Sequence, residues 1–392
     1  MADTYKLMHK DELCGVLTLD EDTGQLIEYK NLSRNAPYLG SADTRLMRRW
    51  WEARAIPASR TAMQEIIRLA GCNSNKDYLA KNLALSMTDT YWICPIETEL
   101  QWSDVNLHNL HGFMNGKMPY HNETSYDPNA SLGGQMDKYW DLDTDPPTLI
   151  KTAYREYGQQ AINEAFASLL HERQETIFPY VRYRLRQGVD NGIQTVCDAF
   201  TTDQKELVPA MEILDSRKIP NDLSLYDAFI MISAEYGIDK EYMRDFMDYL
   251  TMTDFIISNT DEHLMNYGVI RSAEKHLFTS PAPIFDSGNS MFYSDHRDEA
   301  FSRTELLERK ITAIHSTEEA MLRHVTNRGL VKFDLLPSPE EVMAFYQSRG
   351  IPEQKALFIS QSYYNKLSLF RDFQQGKSIS LYFEKNSQYL TP

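Results

Sequence analysis

An aspartate and an asparagine five residues apart, Asp261 and Asn266, bracket His263 in the stretch "TDEHLMN", residues 260–266. A carboxylate in such a place orients a hydroxyl and takes its proton. An amide offers a hard oxygen to a magnesium-type cation without adding charge. A second carboxylate, Asp286, follows in "APIFDSGNSMF", and Gly288 lets the backbone turn sharply just after it. A cation held by Asn266 and Asp286 beside a hydroxyl held by Asp261 is the apparatus of phosphoryl transfer. Asp and Asn also cap and turn helix ends. The third oxygen donor, in the correct order, favours the chemistry.

Upstream, "SLGGQMDKYW" places Gly133 and Gly134 between strand-like stretches, where exposed N–H groups cover phosphates. Lys151 ends the apolar run "TLI", and Glu164 follows on a helical segment. A strand lysine that reaches the phosphates and is held by a helix glutamate is a further protein-kinase component. Each piece competes with a plainer reading: an ordinary turn, a surface lysine, an exposed helix glutamate. Their shared order (Gly-rich loop, Lys, Glu, Asp-x4-Asn, Asp-x-Gly) is that of a protein kinase. His263 reads as a brace for the loop rather than a proton carrier. His108 and His111, at i and i+3, lack a third ligand and read as surface or partly buried histidines. Gly112–Met118, "GFMNGKM", has one residue too few and no Ser or Thr after Lys117 to be a P-loop.

The positioning elements fall into three textures. Residues 1–120 open with strand-like "YKLMH", "GVLTL" and "QLIEY", then helical patterns near 42–54, 61–70 and 76–86. "HNETSYDPNA" reads as a loop and boundary. Residues 131–215 are mostly strand: "PTLIKTA", "YVRYRLR" and "IQTVCDAF". Among them lies the helix "GQQAINEAFASLLHER", with Ala161, Ile162, Ala165, Phe166, Leu169 and Leu170 on one stripe. Residues 216–392 are chiefly helical: "LSLYDAFIMISAEYG", "KEYMRDFMDYLTMTDFIIS", "STEEAMLRHVTN", "SPEEVMAFYQSRG" and "EQKALFISQSYYNKLSLFRDF". Strand and loop return only from "YGVIRS" to "PIFDSG". The class is α+β, a strand-rich lobe followed by a helical one, with a ligand cleft expected between them.

Composition excludes several functions. The net charge of −16 over 392 residues repels phosphate backbones and acidic lipid, so neither direct nucleic-acid nor membrane binding is expected. The arginines of "RLMRRWWEARAIPASR" read as a solvated helix face. No apolar run reaches the ~18 residues of a membrane span, and the start lacks a signal-peptide layout, so a cytoplasmic location is expected. Cys14, Cys72, Cys94 and Cys197 are far apart and suit reduced, buried thiols.

With these residues in hand, the chain resembles the HipA-like serine/threonine kinases, whose loops carry T-D-x-H-x-x-N. "PIFDSG" and "INEAF" resemble the family's metal-binding and N-E segments. "RAIPASR", "LALSMTDTYWICP" and "DVNLH" are similar to the N-terminal parts of its firmicute-type branch. The resemblance implies a two-lobed protein-kinase-like fold with a small N-terminal α+β domain (1–120), an ATP-binding N-lobe (121–215) and a helical C-lobe (216–392). It implies ATP and Mg2+, a protein substrate with a Ser or Thr acceptor, and a small helix-turn-helix partner of the antitoxin kind. "VCDAF" resembles the adenine-binding hinge, near Cys197 to Phe200. Ser131 is the nearest counterpart of a loop serine that is phosphorylated in some members. Two features depart from the pattern: Glu262 stands where a glycine is common, adding charge beside the site, and "SLGGQMDK" matches loosely. A lipid or small-molecule kinase with the same loop, and a nucleotide-sensing regulator without turnover, are the competing readings.

Overall fold

The computed structural model describes residues 2–60, 63–108, 126–134, 136–188 and 192–387, the last without its side chain. His111 and the stretch 112–118 lie outside the described residues. The fold is α+β, as expected, and forms two compact units, each assembled from separate segments. Unit 1 takes Met1–Lys151, Asp198–Pro220 and Val269–Ser280; unit 2 takes Thr152–Cys197, Asn221–Gly268 and Pro281–Pro392. The division at 120 and 215 remains an expectation.

Unit 1 is the strand-rich one. β1 (Ala2–His9), β2 (Glu12–Asp20), β3 (Leu26–Asn31) and β4 (Tyr91–Pro95) form an antiparallel sheet in the order β3-β2-β1-β4. Gly15, Leu17 and Leu19 of β2 are buried while Val16 and Thr18 are half-buried, the period-2 pattern of a sheet packed on one face. Helix α1 (Thr44–Arg54) starts where the Asp43 carboxylate accepts from Leu46 N–H at 2.7 Å, and it buries Leu46, Met47, Trp50 and Trp51 against that face. Shorter helices α2 (Met63–Leu69), α3 (Asn75–Lys81) and α4 (Trp102–Val105) follow, then β5 (Asp137–Asp141) and β6 (Thr148–Ala153), whose last two residues count with unit 2. The helix expected over 76–86 stops at Lys81 because Leu83 and Ala84 take left-handed backbone.

The arginine-rich stretch corrects an expectation. Arg54 is buried and bidentate to Asp89 at 2.7 and 2.8 Å, and Arg60 is buried too. Arg49 pairs with Asp215, and Arg48 donates to backbone carbonyls; only part of this segment is a solvated face.

Unit 2 is built on helices. They are α5 (Gln159–Arg173), α7 (Leu225–Glu235), α8 (Lys240–Ile257), α9 (Arg303–Glu308), α10 (Glu318–Met321), α11 (Pro339–Gln347), α12 (Glu353–Gln374) and α13 (Leu381–Ser387). One antiparallel pair, β7 (Arg184–Gln187) with β8 (Ile193–Asp198), accompanies them. The remaining elements belong to unit 1: α6 (Ala210–Asp215), and the sheet β11-β10-β9 of β9 (Lys205–Pro209), β10 (Gly268–Ser272) and β11 (Phe278–Pro281). Thus α6 interrupts a stretch expected to be strand. The strand expected over "YVRYRLR" begins only at Arg184, while Tyr180 makes an isolated parallel bridge to Ile284. "STEEAMLRHVTN" was expected to be one helix, yet only Glu318–Met321 is α-helical. The buried Asp248 of α8 draws off Thr326 N–H, Thr326 Oγ1 and Asn327 N–H, each at 2.8 Å, groups that a continuing helix would pair internally. The four cysteines are free thiols, and no helix among the described residues is long and apolar enough to cross a membrane.

Candidate active site

The loop that carries Asp261 begins where α8 ends. That helix is capped at its start by Asp239, buries nearly every side chain from Met243 to Ile257, and stops at Ser258 in left-handed backbone. Two backbone bonds to a segment running in the opposite direction then hold the loop. Met291 N–H donates to Ile257 C=O at 2.7 Å, and Thr260 N–H donates to Asn289 C=O at 3.2 Å. The Asp261 and Asp286 segments are therefore stitched together by main chain, independent of any ligand.

Side chains complete the junction. Asn289 Nδ2 donates to Asp261 Oδ2 at 2.6 Å, so the turn after Asp286 grips the carboxylate of the other loop. Asn266 Nδ2 donates to the Asp261 carbonyl at 2.7 Å. A carbonyl only accepts, so the nitrogen must face it, and the Asn266 amide oxygen is turned the other way. That oxygen suits a hard cation. His263 Nδ1 accepts from Met265 N–H at 3.3 Å, a bracing contact inside the loop. Asp286 itself has left-handed backbone, φ 62°, which Asp tolerates better than most residues, and its N–H donates to Tyr183 Oη at 3.1 Å.

Helix α5 carries the second layer of support. Asn163 Nδ2 bridges the carbonyls of Gly288 and Ser290 at 2.8 and 2.7 Å, while Tyr346 Oη donates to its Oδ1 at 2.7 Å. Gln160 Nε2 donates to Asn289 Oδ1 at 2.8 Å, and Gln159 Nε2 to Met291 C=O at 3.0 Å. A Cβ on Gly288 would lie 3.4 Å from the Gln160 carbonyl oxygen, an ordinary contact, and its φ is not positive; the left-handed residue of this turn is Asp286 rather than the glycine expected to make it. Glu164, on the same helix, is fully buried and accepts from Thr195 Oγ1 of β8 at 2.7 Å. Glu164 was expected from the sequence, whereas Gln159, Gln160, Asn163, Tyr346 and Asn289 escaped sequence reasoning, although Asn163 stands inside the quoted "INEAF". Amide side chains carry no periodic signal.

Glu262 behaves differently from its sequence expectation. It is 6 % exposed, and its Oε2 accepts from Asn259 Nδ2 at 3.1 Å, which also donates to Asp254 at 3.0 Å. Its Oε1 has no partner among the described residues. Burial first, then the charges of Asp254 and Asp286, push the Glu262 carboxyl well above the usual carboxylate range. Burial raises Asp254 as well. Both shifts favour the protonated form of the pair, which lessens the negative charge that Glu262 adds beside the site.

The other expected site residues are placed as follows. Gly133 and Gly134 lie in a loop of unit 1, where the Arg60 guanidinium collects the carbonyls of Leu132, Gly133 and Gly134 at 2.6, 3.0 and 2.7 Å. In a trans peptide the N–H opposes the preceding C=O, so the N–H groups of Gly133 and Gly134 point away from Arg60. Gly134 needs its type: φ is +81°, and a Cβ would come within 2.8 Å of Lys138 Nζ. Ser131 is half-buried in the same loop. Lys151 is a buried residue of β6 in unit 1, and Phe200 is half-buried just beyond β8 in the same unit. Cys197 is buried in β8 of unit 2. Thus Asp261, His263 and Asn266 are linked by hydrogen bonds in one loop of unit 2, and the turn that follows Asp286 joins that loop through Asn289, with Glu164 on the helix that supports the turn. His108 is half-buried, with Nε2 unpartnered among the described residues.

No family model matches the chain. A curated relative, the serine/threonine-protein kinase CtkA of Helicobacter pylori, is 28% identical over 106 residues, 26% of this chain and 32% of that kinase. The chain thus matches about a third of that kinase's length. A crystal structure of the H. pylori proinflammatory kinase CtkA aligns with a TM-score of 0.43 at 14% identity, over 67% of this chain and 94% of that one. The Shewanella oneidensis MR-1 toxin–antitoxin complex of HipA, HipB and operator DNA gives a TM-score of 0.46 at 10% identity, over 94% and 90%. Over about a quarter of its length the chain is thus similar to a serine/threonine-protein kinase.

Proposed function

We propose that the chain is an ATP-dependent serine/threonine protein kinase that moves the γ-phosphoryl group of Mg-ATP onto a protein hydroxyl. One observation carries the reading: the Asp261 carboxylate is bonded at 2.6 Å by Asn289, three residues after Asp286. The hydroxyl-orienting group and the metal-binding segment are thereby built as one piece.

Asn289 occupies one oxygen of Asp261, so the other is the one to meet the acceptor hydroxyl. As transfer proceeds, the bond from the γ-phosphorus to its bridging oxygen breaks and a bond to the acceptor Oγ forms. The hydroxyl proton passes to Asp261, and ADP leaves. Magnesium supplies charge neutralisation on the phosphates, and the Asn266 amide oxygen with the Asp286 carboxylate is a fitting donor set for it. Lys151 and the Gly133–Gly134 loop are assigned to the phosphates, with Glu164 as the lysine's support. Cys197 to Phe200 are assigned to adenine. These assignments come from the family resemblance, as does a small helix-turn-helix partner.

The test is transfer of label from [γ-32P]ATP into lysate proteins, followed by phosphoproteomics of cells expressing wild type or Asp261→Ala. A loss of ~10²–10⁴-fold is expected in Asp261→Ala with its unfolding midpoint kept. Full activity in a well-folded Asp261→Ala protein overturns the proposal. Label appearing in lipid vesicles instead of protein favours the lipid-kinase alternative.

A further inference from the structure

Outside the candidate active site, unit 1 gathers two imidazoles and a carboxylate at one place. His9 ends β1, Glu12 opens β2 directly opposite it in register, and His276 sits in the turn between β10 and β11. One donor atom from each lies within 4.8 Å of the other two, and the two rings are 4.9 Å apart at their centroids. His276 Nε2 is 3.9 Å from Glu12 Oε2.

Three features go beyond an ordinary ion pair. First, His9 Nε2 is 2.8 Å from Glu206 Oε1, a carboxylate that also accepts from Arg271 Nε at 2.9 Å and Thr90 N–H at 2.9 Å. Such a carboxylate acts as acceptor, so His9 Nε2 carries the proton and the lone pair is on Nδ1. A carboxylate fixing the tautomer of a histidine is the standard support of a metal ligand. Second, Glu12 is oriented by Ser33 Oγ at 2.6 Å and by Asn35 Nδ2 at 3.0 and 3.1 Å. Third, His276 Nδ1 is buried without a hydrogen-bond partner among the described residues. Its residue holds left-handed backbone, φ 55°, where glycine is the usual choice.

We propose that His9, Glu12 and His276 form a binding site for a divalent transition-metal ion of the zinc type. Two imidazoles and one carboxylate are a zinc donor set, with a fourth position open to water. Glu12 is exposed and His276 half-buried, so water has access. Arg271, whose charge is felt at His276, is paired with Glu206 at 2.8 Å, which leaves the Glu12 charge to the cation. Tetrahedral donors at ~2.0–2.2 Å from zinc lie roughly 3.5 Å from one another, so side-chain shifts of about 1 Å complete the site. The ion would clip the β1–β2 hairpin to the β10–β11 turn, which are far apart in sequence within one unit, and closing so long a loop restricts the unfolded chain.

The test uses the full chain after chelator treatment, with ZnCl2 and CoCl2 as probes. Equilibrium dialysis against micromolar ZnCl2 is expected to load one equivalent and raise the Tm. CoCl2 is expected to give visible d–d absorption. His276→Asn, which keeps a residue tolerant of positive φ, and Glu12→Gln each lower zinc affinity at least tenfold and remove the cobalt spectrum. If His276→Asn folds poorly, Glu12→Gln decides alone, since its side chain is exposed. Absent stoichiometric loading, or loading unchanged in Glu12→Gln, overturns the site.

Discussion

At the scale of single residues, Glu262 is the most informative departure from the family pattern. A carboxyl whose folded pKa is raised binds more protons in the native state than in the unfolded state, so stability falls as pH rises above the unfolded value. The loss begins above the ordinary glutamate range and continues until the folded group ionises. Glu262→Gln removes that dependence. It is expected to gain on wild type in urea midpoint from pH 5 to pH 8, by at most about 1.4 kcal/mol per pH unit. A gain that does not grow with pH contradicts a retained proton on the Asp254–Glu262 pair. At the same scale, Asp286→Asn is expected to cut phosphoryl transfer at least about tenfold and to raise the magnesium concentration for half-maximal rate, because a charged ligand is replaced by a neutral one. An unchanged magnesium profile would remove Asp286 from the metal-binding set.

At the scale of elements, α5 is the part on which the site's geometry depends. Its Asn163 satisfies two buried carbonyls and one tyrosine hydroxyl, and each stranded polar group costs about 1–3 kcal/mol. Asn163→Ala is therefore expected to destabilise by roughly 3 kcal/mol and to lower kcat through misplacement of Asp286, as measured by denaturation and steady-state kinetics. A cost below about 1 kcal/mol would mean that the turn after Asp286 holds itself. The sequence stripe on α5 marked Ile162 and Phe166 as core, and both are buried. It did not mark the buried Asn163 and Glu164, because hydrophobic periodicity is blind to polar groups that find partners inside.

At the scale of the whole molecule, a buried histidine contributes to the loss of stability in acid. His171 is fully enclosed beside Tyr249 Oη at 2.9 Å, and desolvation pulls its pKa down to about 3. The unfolded chain protonates first as pH falls below about 6.5, so stability is lost from there toward the folded value, at up to about 1.4 kcal/mol per pH unit. This trend opposes that of Glu262, so the expected outcome is a difference: between pH 7 and pH 5 the denaturation midpoint of His171→Phe gains on that of wild type, and equal slopes would exonerate His171. The charge of −16 likewise predicts that the chain alone flows through heparin at low salt. Tight retention there would count against that reading.

By itself the sequence determined the order of the chemical groups, the α+β class and most of the long helices. These follow from local spacing: Asp261 and Asn266 are five apart, and the helical stripes repeat within a turn or two. Tertiary structure decided what local spacing does not encode. The partners that hold the site, Asn163 with Gly288 and Ser290, are 125 and 127 residues apart, so no window along the chain pairs them. The burial of Arg54, Arg60 and Glu262 was decided there too. Whether a charged side chain meets water, an opposite charge or another carboxylate depends on which distant segments fold against it.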